Sequence, residues 1–240
     1  MAKRKLVFWL LSAMVLLNLG CSKVNYVTVV QELDEFEEIA FFSSFDVAFH
    51  QSENPRIQMT GASDVIEEME IVQTGGVVDI YNHLKQKWTR PGDARVQLDV
   101  YVDSLDLITA HETCFLTSVD GIKSKELGLV VGSKLNIADL NLDVDKFYYW
   151  NNFPCSGTQD FSGRADEFVV WNVALMQIDS RNCQSSFAYI ENSAQTDCVV
   201  RVTERLEYNI KGSGNIVVYG NPTELIEVGN EGSGKLILMD

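Results

Sequence analysis

Five aspartates are the strongest candidates for acid–base or calcium chemistry in this chain of 240 residues: Asp103, Asp106, Asp139, Asp143 and Asp145. Carboxylates that converge on one point bind Ca²⁺ or, beside a base, support hydrolase and lyase chemistry. Asp143 and Asp145 alternate with apolar residues, which is the pattern of a strand that displays every second side chain outward. The sequence contains no EF-hand and no nonapeptide calcium repeat. We therefore expect these aspartates to face solvent and to hold no metal.

The three histidines, His50, His83 and His111, give no support for a hydrolase. None of them lies near a G-x-S-x-G motif or a similar nucleophile motif. His111 stands between Ala110 and Glu112, where the chain is expected to turn a corner, so it is expected to be a surface histidine. The sequence thus predicts no catalytic residue, no metal ligand and no cofactor.

Four cysteines follow the amino-terminal segment: Cys114, Cys155, Cys183 and Cys198. No two of them have the close spacing of a zinc or redox site. In an exported protein they could form disulfides in any of three complete pairings, between which the sequence does not choose. The alternative is that some or all are small buried apolar residues, and Cys198 in an apolar strand fits that alternative.

The segment most suggestive of binding runs from Phe147 to Phe153. Alternation turns some of its rings outward, and flat rings beside asparagine amides suit contact with a sugar or a peptide. Trp171 follows one repeat later and could extend such a surface. In the alternative interpretation the aromatics stack inside the protein, because large aromatic side chains are mostly buried. The candidate ligand-binding residues are Tyr148, Tyr149, Trp150, Asn151 and Trp171.

The amino terminus resembles a bacterial lipoprotein signal. Lys3, Arg4 and Lys5 precede an apolar run at 6–17 that is shorter than the roughly 20 residues of a membrane-spanning helix. Cys21 follows Leu19-Gly20, as in a lipobox, which implies cleavage before Cys21 and attachment of lipid to it. An ordinary secretory signal is the alternative. The expected organisation is a signal peptide at 1–20, a lipidated tether at 21–35 and a folded domain at 36–240.

The charge balance argues against nucleic-acid binding. The chain has 34 Asp and Glu against 19 Lys and Arg, a formal net charge of −15, and loss of the signal removes three cations. An acidic surface repels polyphosphate chains and anionic lipid headgroups. The expected partners are therefore the membrane, through the lipid on Cys21, and a glycan or protein ligand.

The remaining sequence is typical of an all-β protein. Between positions 95 and 102 every second residue is apolar, as in a half-buried strand. Residues 27–30 could form a strand or a stalk, and residues 64–71 could form one short helical turn. Long amphipathic helical patterns are absent from the sequence, and glycines punctuate the strands. Further strands are expected at 45–49, 56–59, 70–72 and 77–81.

A repeat of about 20 residues predicts how the strands are arranged. Gly212-Ser213-Gly214 recurs as Gly232-Ser233-Gly234, and residues 192–198 form a weaker copy at a further offset of 20. Earlier apolar segments begin at 105, 127, 147 and 168. This period fits a β-solenoid with coils about 4.8 Å apart, whereas a β-sandwich would lack a fixed register. Positions 196, 198, 216, 218, 236 and 238 are expected to point inward, and the intervening odd positions, such as 197 and 217, outward.

The stretch from Leu206 to Pro222, centred on Gly212-Ser213-Gly214-Asn215, resembles the signature of the family called "putative auto-transporter adhesin, head GIN domain". Gly232-Ser233-Gly234-Lys235-Leu236 is similar to its last repeat, and Phe45-Asp46-Val47 with the hairpin that follows matches its front. The resemblance covers residues 37–240. It implies a right-handed parallel β-helix with an amino-terminal β-hairpin region, in envelope proteins of Bacteroidetes-like bacteria that are often lipoproteins. It implies no catalytic residues.

The function expected from the sequence is that of a non-enzymatic outer-membrane lipoprotein with an adhesin-like binding or scaffolding domain. A carbohydrate-active lyase or hydrolase on the same fold, or a purely structural envelope component, are the alternatives. Ser22 is compatible with outer-membrane sorting, by resemblance to known lipoproteins. Residues 23–26 lack the acidic run that marks surface export in some Bacteroidetes lipoproteins, which favours the periplasmic face without deciding it.

Overall fold

Strands dominate the chain because β-branched and aromatic residues alternate with polar ones. The computed structural model describes residues 24–87, 94–152 and 154–239. Within these ranges the strands wind into a β-solenoid of about six turns. The predicted all-β solenoid is thus confirmed, and the competing sandwich is not formed.

The strands that precede the regular coils are β1 (Tyr26–Glu32), β2 (Glu38–Phe41), β3 (Phe45–Gln51), β4 (Arg56–Ala62), β5 (Met69–Thr74), β6 (Val77–Asn82) and β7 (Val96–Val102). The coil strands are β8 (Leu107–Ala110), β9 (Cys114–Ser118), β10 (Ile122–Val131), β11 (Leu135–Asn151), β12 (Ser156–Ala194), β13 (Cys198–Ile210), β14 (Ile216–Tyr219), β15 (Glu224–Asn230) and β16 (Leu236–Leu238).

The amino-terminal region joins antiparallel strands to the parallel coils. β5 and β6 form the expected hairpin, which turns at Gly75 with a φ of +60°. β4 runs antiparallel to both β1 and β7. β2 pairs in parallel with β8, and β3 with β9, so the sheets of the hairpin region continue without a break into the coils.

Of the two alternatives for residues 27–30, the strand is formed. β1 lies within the segment 21–35 that was expected to be the tether, and it pairs with β4 from Tyr26↔Ala62 onward. The helical turn expected within 64–71 is α1 (Ser63–Ile66), and β5 begins at Met69. Val65 and Ile66 of α1 are buried, so the turn packs on the core.

Parallel register gives the length of each coil. Leu127 pairs with Phe147 and Phe147 with Phe168, which are the predicted offsets of 20 and 21 residues. The offset of 22 predicted before Leu127 is wrong by one residue, because Gly128 pairs with Leu107. The offset of 20 is correct between β14 and β16.

The weaker copy at 192–198 stacks differently from the prediction. Asn192 pairs with Ile210 and Cys198 with Ile216, an offset of 18 instead of 20. The register between β12 and β13 shifts between Ser180 and Gln184, so residues 181–183 of β12 have no counterpart in β13. The bulge makes the following coil shorter, and strand pairing, not sequence similarity, decides which residues stack.

The predicted inward and outward sets are confirmed only in part at the carboxyl-terminal coils, where Thr196 and Leu236 of the inward set are half-buried and Val199 of the outward set is buried. Cys198, Ile216 and Val218 are buried, while Asp197 is exposed. Because 18 and 20 are both even, the shorter coil leaves this alternation intact. Leu238, on the last described strand, is 59% exposed.

The interior of the solenoid contains ordered layers of rings and amides. The ring centroids of Phe147 and Phe161 lie 4.7 Å apart, and those of Phe147 and Phe168 lie 5.3 Å apart. Elsewhere the buried Asn172 donates its amide to Oδ1 of Asn192 on the next coil at 3.3 Å. In both cases a side chain of one coil contacts a side chain of the same kind on the neighbouring coil.

The Gly-Ser-Gly turns stack at a corner where two backbones meet. A Cβ at Gly214 would lie 1.9 Å from the carbonyl oxygen of Thr196, and one at Gly234 would lie 2.1 Å from that of Gly214. The amide of Gly214 donates to Ala194 at 3.0 Å and that of Gly234 donates to Gly212 at 3.2 Å. Only glycine permits this approach, which explains the repeat seen in the sequence.

Replacing Gly214 with Ala is expected to destabilise the domain by about 1–3 kcal/mol or more, the range for overpacking, because backbone cannot move aside as a side chain can. Gly76→Ala is the matched control, since a Cβ there has no atom nearer than 3.9 Å. Urea denaturation followed by circular dichroism measures both variants. Equal midpoints for the two variants would contradict the tight corner.

Candidate functional site

The expected binding segment lies on the second half of β11, where the strand is paired on both sides. Val130 of β10 pairs with Trp150 of β11, which pairs with Trp171 of β12. All three side chains therefore point outward in one row across three successive coils. Tyr148 stands two residues before Trp150 on the same side of the sheet. We call Val130, Tyr148, Trp150 and Trp171 the aromatic face.

The aromatic face is open to solvent. Trp150 is 39% exposed and Trp171 is 37% exposed, although tryptophan is usually more completely covered. The four residues line one shallow depression. Tyr189 lies beside it, with its ring centroid 6.1 Å from that of Trp171. The prediction that some aromatics of this segment turn outward is confirmed for Trp150, and the structure places Trp171 beside it as expected.

Tyr149 and Asn151 have to be removed from the candidate surface, because alternation turns them inward. Tyr149 is 0% exposed and Asn151 is 1% exposed. Burial raises the pKa of the Tyr149 phenol well above its usual value. The Asn151 amide donates to the carbonyl of Val173 at 3.0 Å and accepts from its N–H at 2.9 Å, so it links two coils. The alternative interpretation, stacking inside the solenoid, is thus correct for the odd positions of this segment. Phe153 lies outside the described residues.

The Tyr148 ring lies over Gly128, in the space that a side chain there would occupy. A Cβ at Gly128 would lie 2.1 Å from Cζ of the Tyr148 ring, so the ring covers the position of the missing side chain. This burial, followed by the carboxylates of Glu126 and Glu38, raises the pKa of the Tyr148 phenol. The phenol therefore forms a fixed edge of the aromatic face.

The structure also reveals a row of stacked rings that the sequence did not suggest. The Tyr81 and Phe42 rings are 4.6 Å apart and inclined by 9°, and the Phe42 and His111 rings are 4.4 Å apart and inclined by 17°. We call Tyr81, Phe42 and His111 the ring ladder. Its members come from β6, from the residue after β2 and from the residue after β8, so only the strand order brings them together. His111 is exposed, as predicted.

Carboxylates surround both aromatic groups. Besides burial, the charges of Glu126, Glu38 and Asp106 help to raise the pKa of the Tyr148 phenol. Those of Asp79 and Glu70 likewise help to raise the pKa of the Tyr81 phenol. The ammonium of Lys146 also acts on the Tyr148 phenol, and it is paired with Glu126 at 3.1 Å. The border of this outer surface is therefore acidic.

The candidate carboxylates of the sequence do not converge. The five aspartates proposed for calcium or acid–base chemistry are all exposed, as the alternation predicted. Among the described residues, no group of three or more His, Cys, Asp or Glu side chains is placed to hold a metal ion. His50 and Asp99 form a pair at 3.0 Å that the sequence did not predict, and the further partners of Asp99 are Gln58 and Gln97. Neither glutamine can serve as a nucleophile, so this pair is best explained as a part-buried structural hydrogen bond.

The four later cysteines are buried and free, so no disulfide links the coils. Burial raises the pKa of the Cys114 and Cys183 thiols to about 12, and raises the pKa of Cys155 and Cys198 too. The interpretation of these cysteines as small buried apolar residues is therefore correct. Cys21, the predicted lipid attachment site, lies outside the described residues. In the part of the chain that is described, no helix is long and apolar enough to cross a membrane.

Comparison with known proteins agrees with this architecture. The model of the family described as "Putative auto-transporter adhesin, head GIN domain" matches residues 35–222. The chain belongs to this family. No curated protein matches it.

Solved structures share the fold at low sequence identity. A putative adhesin from Bacteroides fragilis has a TM-score of 0.76 at 14% identity, over 90% of this chain and 97% of that one. A putative adhesin from Parabacteroides distasonis has a TM-score of 0.62 at 15% identity, over 90% and 98%. A protein called a putative lipid binding protein, also from Parabacteroides distasonis, has a TM-score of 0.59 at 19% identity, over 90% and 97%. Identities this low show the fold alone.

Gly128→Ala is expected to lift the Tyr148 ring from the sheet and to lower the pKa of its phenol toward the usual tyrosine value, because burial is the main cause of the shift. NMR titration of tyrosines labelled at Cζ measures the change, and Tyr148→Phe identifies the signal. The same Tyr148 titration in wild type and Gly128→Ala would contradict the role given to Gly128.

Proposed function

We propose that this chain is a non-enzymatic cell-envelope lipoprotein that binds a ligand through the aromatic face. The observation that carries the proposal is the pair of outward tryptophans, Trp150 and Trp171, which are in register on adjacent coils and more than one-third exposed. Exposed tryptophans that cluster on a rigid surface favour association, because a ligand that covers them removes apolar area from water. The adhesin name of the family supports the same function.

The shape of the surface favours binding over catalysis. The aromatic face is a shallow depression, whereas a catalytic site requires a base and an acid within hydrogen-bond reach of an enclosed substrate. Tyr148 has a pKa above its usual value, so its phenol is a neutral hydrogen-bonding group at physiological pH and not a general base. A ligand held on this surface is expected to be recovered unchanged.

The proposed anchor rests on the first 21 residues of the sequence, where three cations, an apolar run and Leu19-Gly20-Cys21 occur in the order of a lipoprotein signal. In this proposal the mature chain begins at Cys21, which carries the lipid, and residues 22–25 lead directly into β1. Such a short connection would hold the solenoid close to the outer membrane.

Truncating Trp150 and Trp171 together to Ala is expected to weaken ligand binding by roughly 30-fold or more, because loss of one interface hot spot costs about 2 kcal/mol. Both side chains point outward, so the melting temperature is expected to change little. Val119→Ala is the matched control, since Val119 is 62% exposed and follows β9, away from the face. Binding to arrayed glycans and to extracellular-matrix proteins is measured for all three proteins. Unchanged affinity in the double variant would overturn the proposal.

The anchor and the membrane face are tested in intact cells. Cys21→Ser is expected to move the protein from the membrane fraction to the soluble fraction, and membrane retention of this variant would contradict lipidation at Cys21. Protease shaving of wild-type cells, with a periplasmic protein as control, then gives the orientation. Loss of the domain would favour a ligand outside the cell, and protection would favour a partner in the periplasm.

A further inference from the structure

The ring ladder ends where the next position of its row is a glycine. Tyr81, Phe42 and His111 stack at 4.6 and 4.4 Å, close to the spacing of about 4.8 Å between neighbouring strands. The next strand is β10, and the amide of Gly132 donates to Ala110 at 2.9 Å, which places Gly132 beside His111. The row therefore continues past His111 without a side chain.

The space above Gly132 is open. A Cβ built on this residue would have the carbonyl oxygen of Ala110 at 3.8 Å and Cα of His111 at 4.0 Å as its nearest neighbours. His111 is exposed, and one face of its ring already lies on Phe42. No side chain from the Gly132 position covers the other face.

Hydrogen-bonding groups and the aromatic face border this space. Val130 precedes Gly132 by two residues on the same side of β10, and it belongs to the aromatic face. Asn152 is the next member of the row, since its backbone N–H donates to the carbonyl of Val131 at 3.1 Å, and its side chain is exposed. Thr109 stands two residues before His111 and pairs with Val130. The ring ladder and the aromatic face are thus joined through Gly132 into one surface.

We propose that a sugar ring of a neutral glycan occupies the space above Gly132 and stacks on His111, while the adjoining part of the glycan lies on Trp150. This proposal rests on the proposed function and names its ligand class. A sugar ring has an apolar face that suits an aromatic surface and hydroxyl groups at its edge that suit amides and hydroxyls. The His111 ring offers the aromatic surface, and Asn152 and Thr109 offer the amide and the hydroxyl.

The charge of the surface decides against anionic glycans. Glu38, Asp106 and Glu126 border the aromatic face, and the ammonium of Lys146, which also acts on the Tyr148 phenol, is paired with Glu126. Asp79 and Glu70 lie beside the ring ladder. Sulfated or sialylated chains would meet like charge here, so neutral chains are expected to be preferred.

Filling the space and removing the ring are expected to have the same effect. Gly132→Leu fills the space above His111 and His111→Ala removes the stacking surface, and each is expected to weaken binding at least tenfold. Gly132→Ala adds only a methyl group in ordinary contact, so less than a threefold loss is expected. The probes are arrays of neutral gluco-, manno- and N-acetylglucosamine oligosaccharides with sulfated and sialylated counterparts, followed by calorimetry on the full chain. Melting temperatures verify that each variant is folded.

The outcomes separate this proposal from the function on which it rests. Loss of neutral-glycan binding in both Gly132→Leu and His111→Ala supports the proposal. Binding that survives Gly132→Leu but is lost when Trp150 is truncated overturns the sugar position and leaves the aromatic face as a binding surface. A preference for sulfated or sialylated chains, or binding of matrix protein without any glycan, overturns the ligand class.

Discussion

Every feature of this protein depends on backbone hydrogen bonds between successive coils, which hold equivalent residues one strand spacing apart. The parallel pairing runs from β8 through β16 and holds most strand residues against a partner 17 to 22 positions away. Because the register is shared along the whole solenoid, a residue meets the same kind of neighbour above and below. Rings therefore stack on rings inside, amides bond to amides, and glycine corners close on glycine corners.

The same register produces the surface. Along β11 one set of side chains fills the interior with Phe147 and Tyr149, while the other set carries Tyr148 and Trp150 to solvent. The two sets come from one continuous strand: from 147 to 151 the odd-numbered positions point inward and the even-numbered positions point outward. Aromatic residues thus occupy two distinct environments within a few positions: the inner ones stabilise the coil stack, and the outer ones remain exposed to solvent.

The sequence predicted those parts of the structure that depend on local pattern. Alternation located the early strands, the Gly-Ser-Gly repeat predicted the solenoid, and parity gave the inward set at 198, 216 and 218. The sequence did not predict the bulge at 181–183 or the ring ladder, because both depend on which strands become neighbours. Alternation predicted that some rings of 147–153 face outward but not which set of positions does so, and Tyr149 and Asn151 proved to belong to the inward set. Phe42 and His111 are 69 positions apart and share no motif, so only the folded topology brings them together.

The unequal coil lengths have a consequence for how such a surface can change. Offsets of 18, 20 and 21 residues coexist because corners and bulges absorb the differences while the strands keep their pairing. Insertions and deletions at corners are therefore compatible with the core, and outward positions can be exchanged one coil at a time. Substitutions in the exposed row are therefore nearly independent of one another, and relatives with the same fold could acquire different ligands while the core stays unchanged.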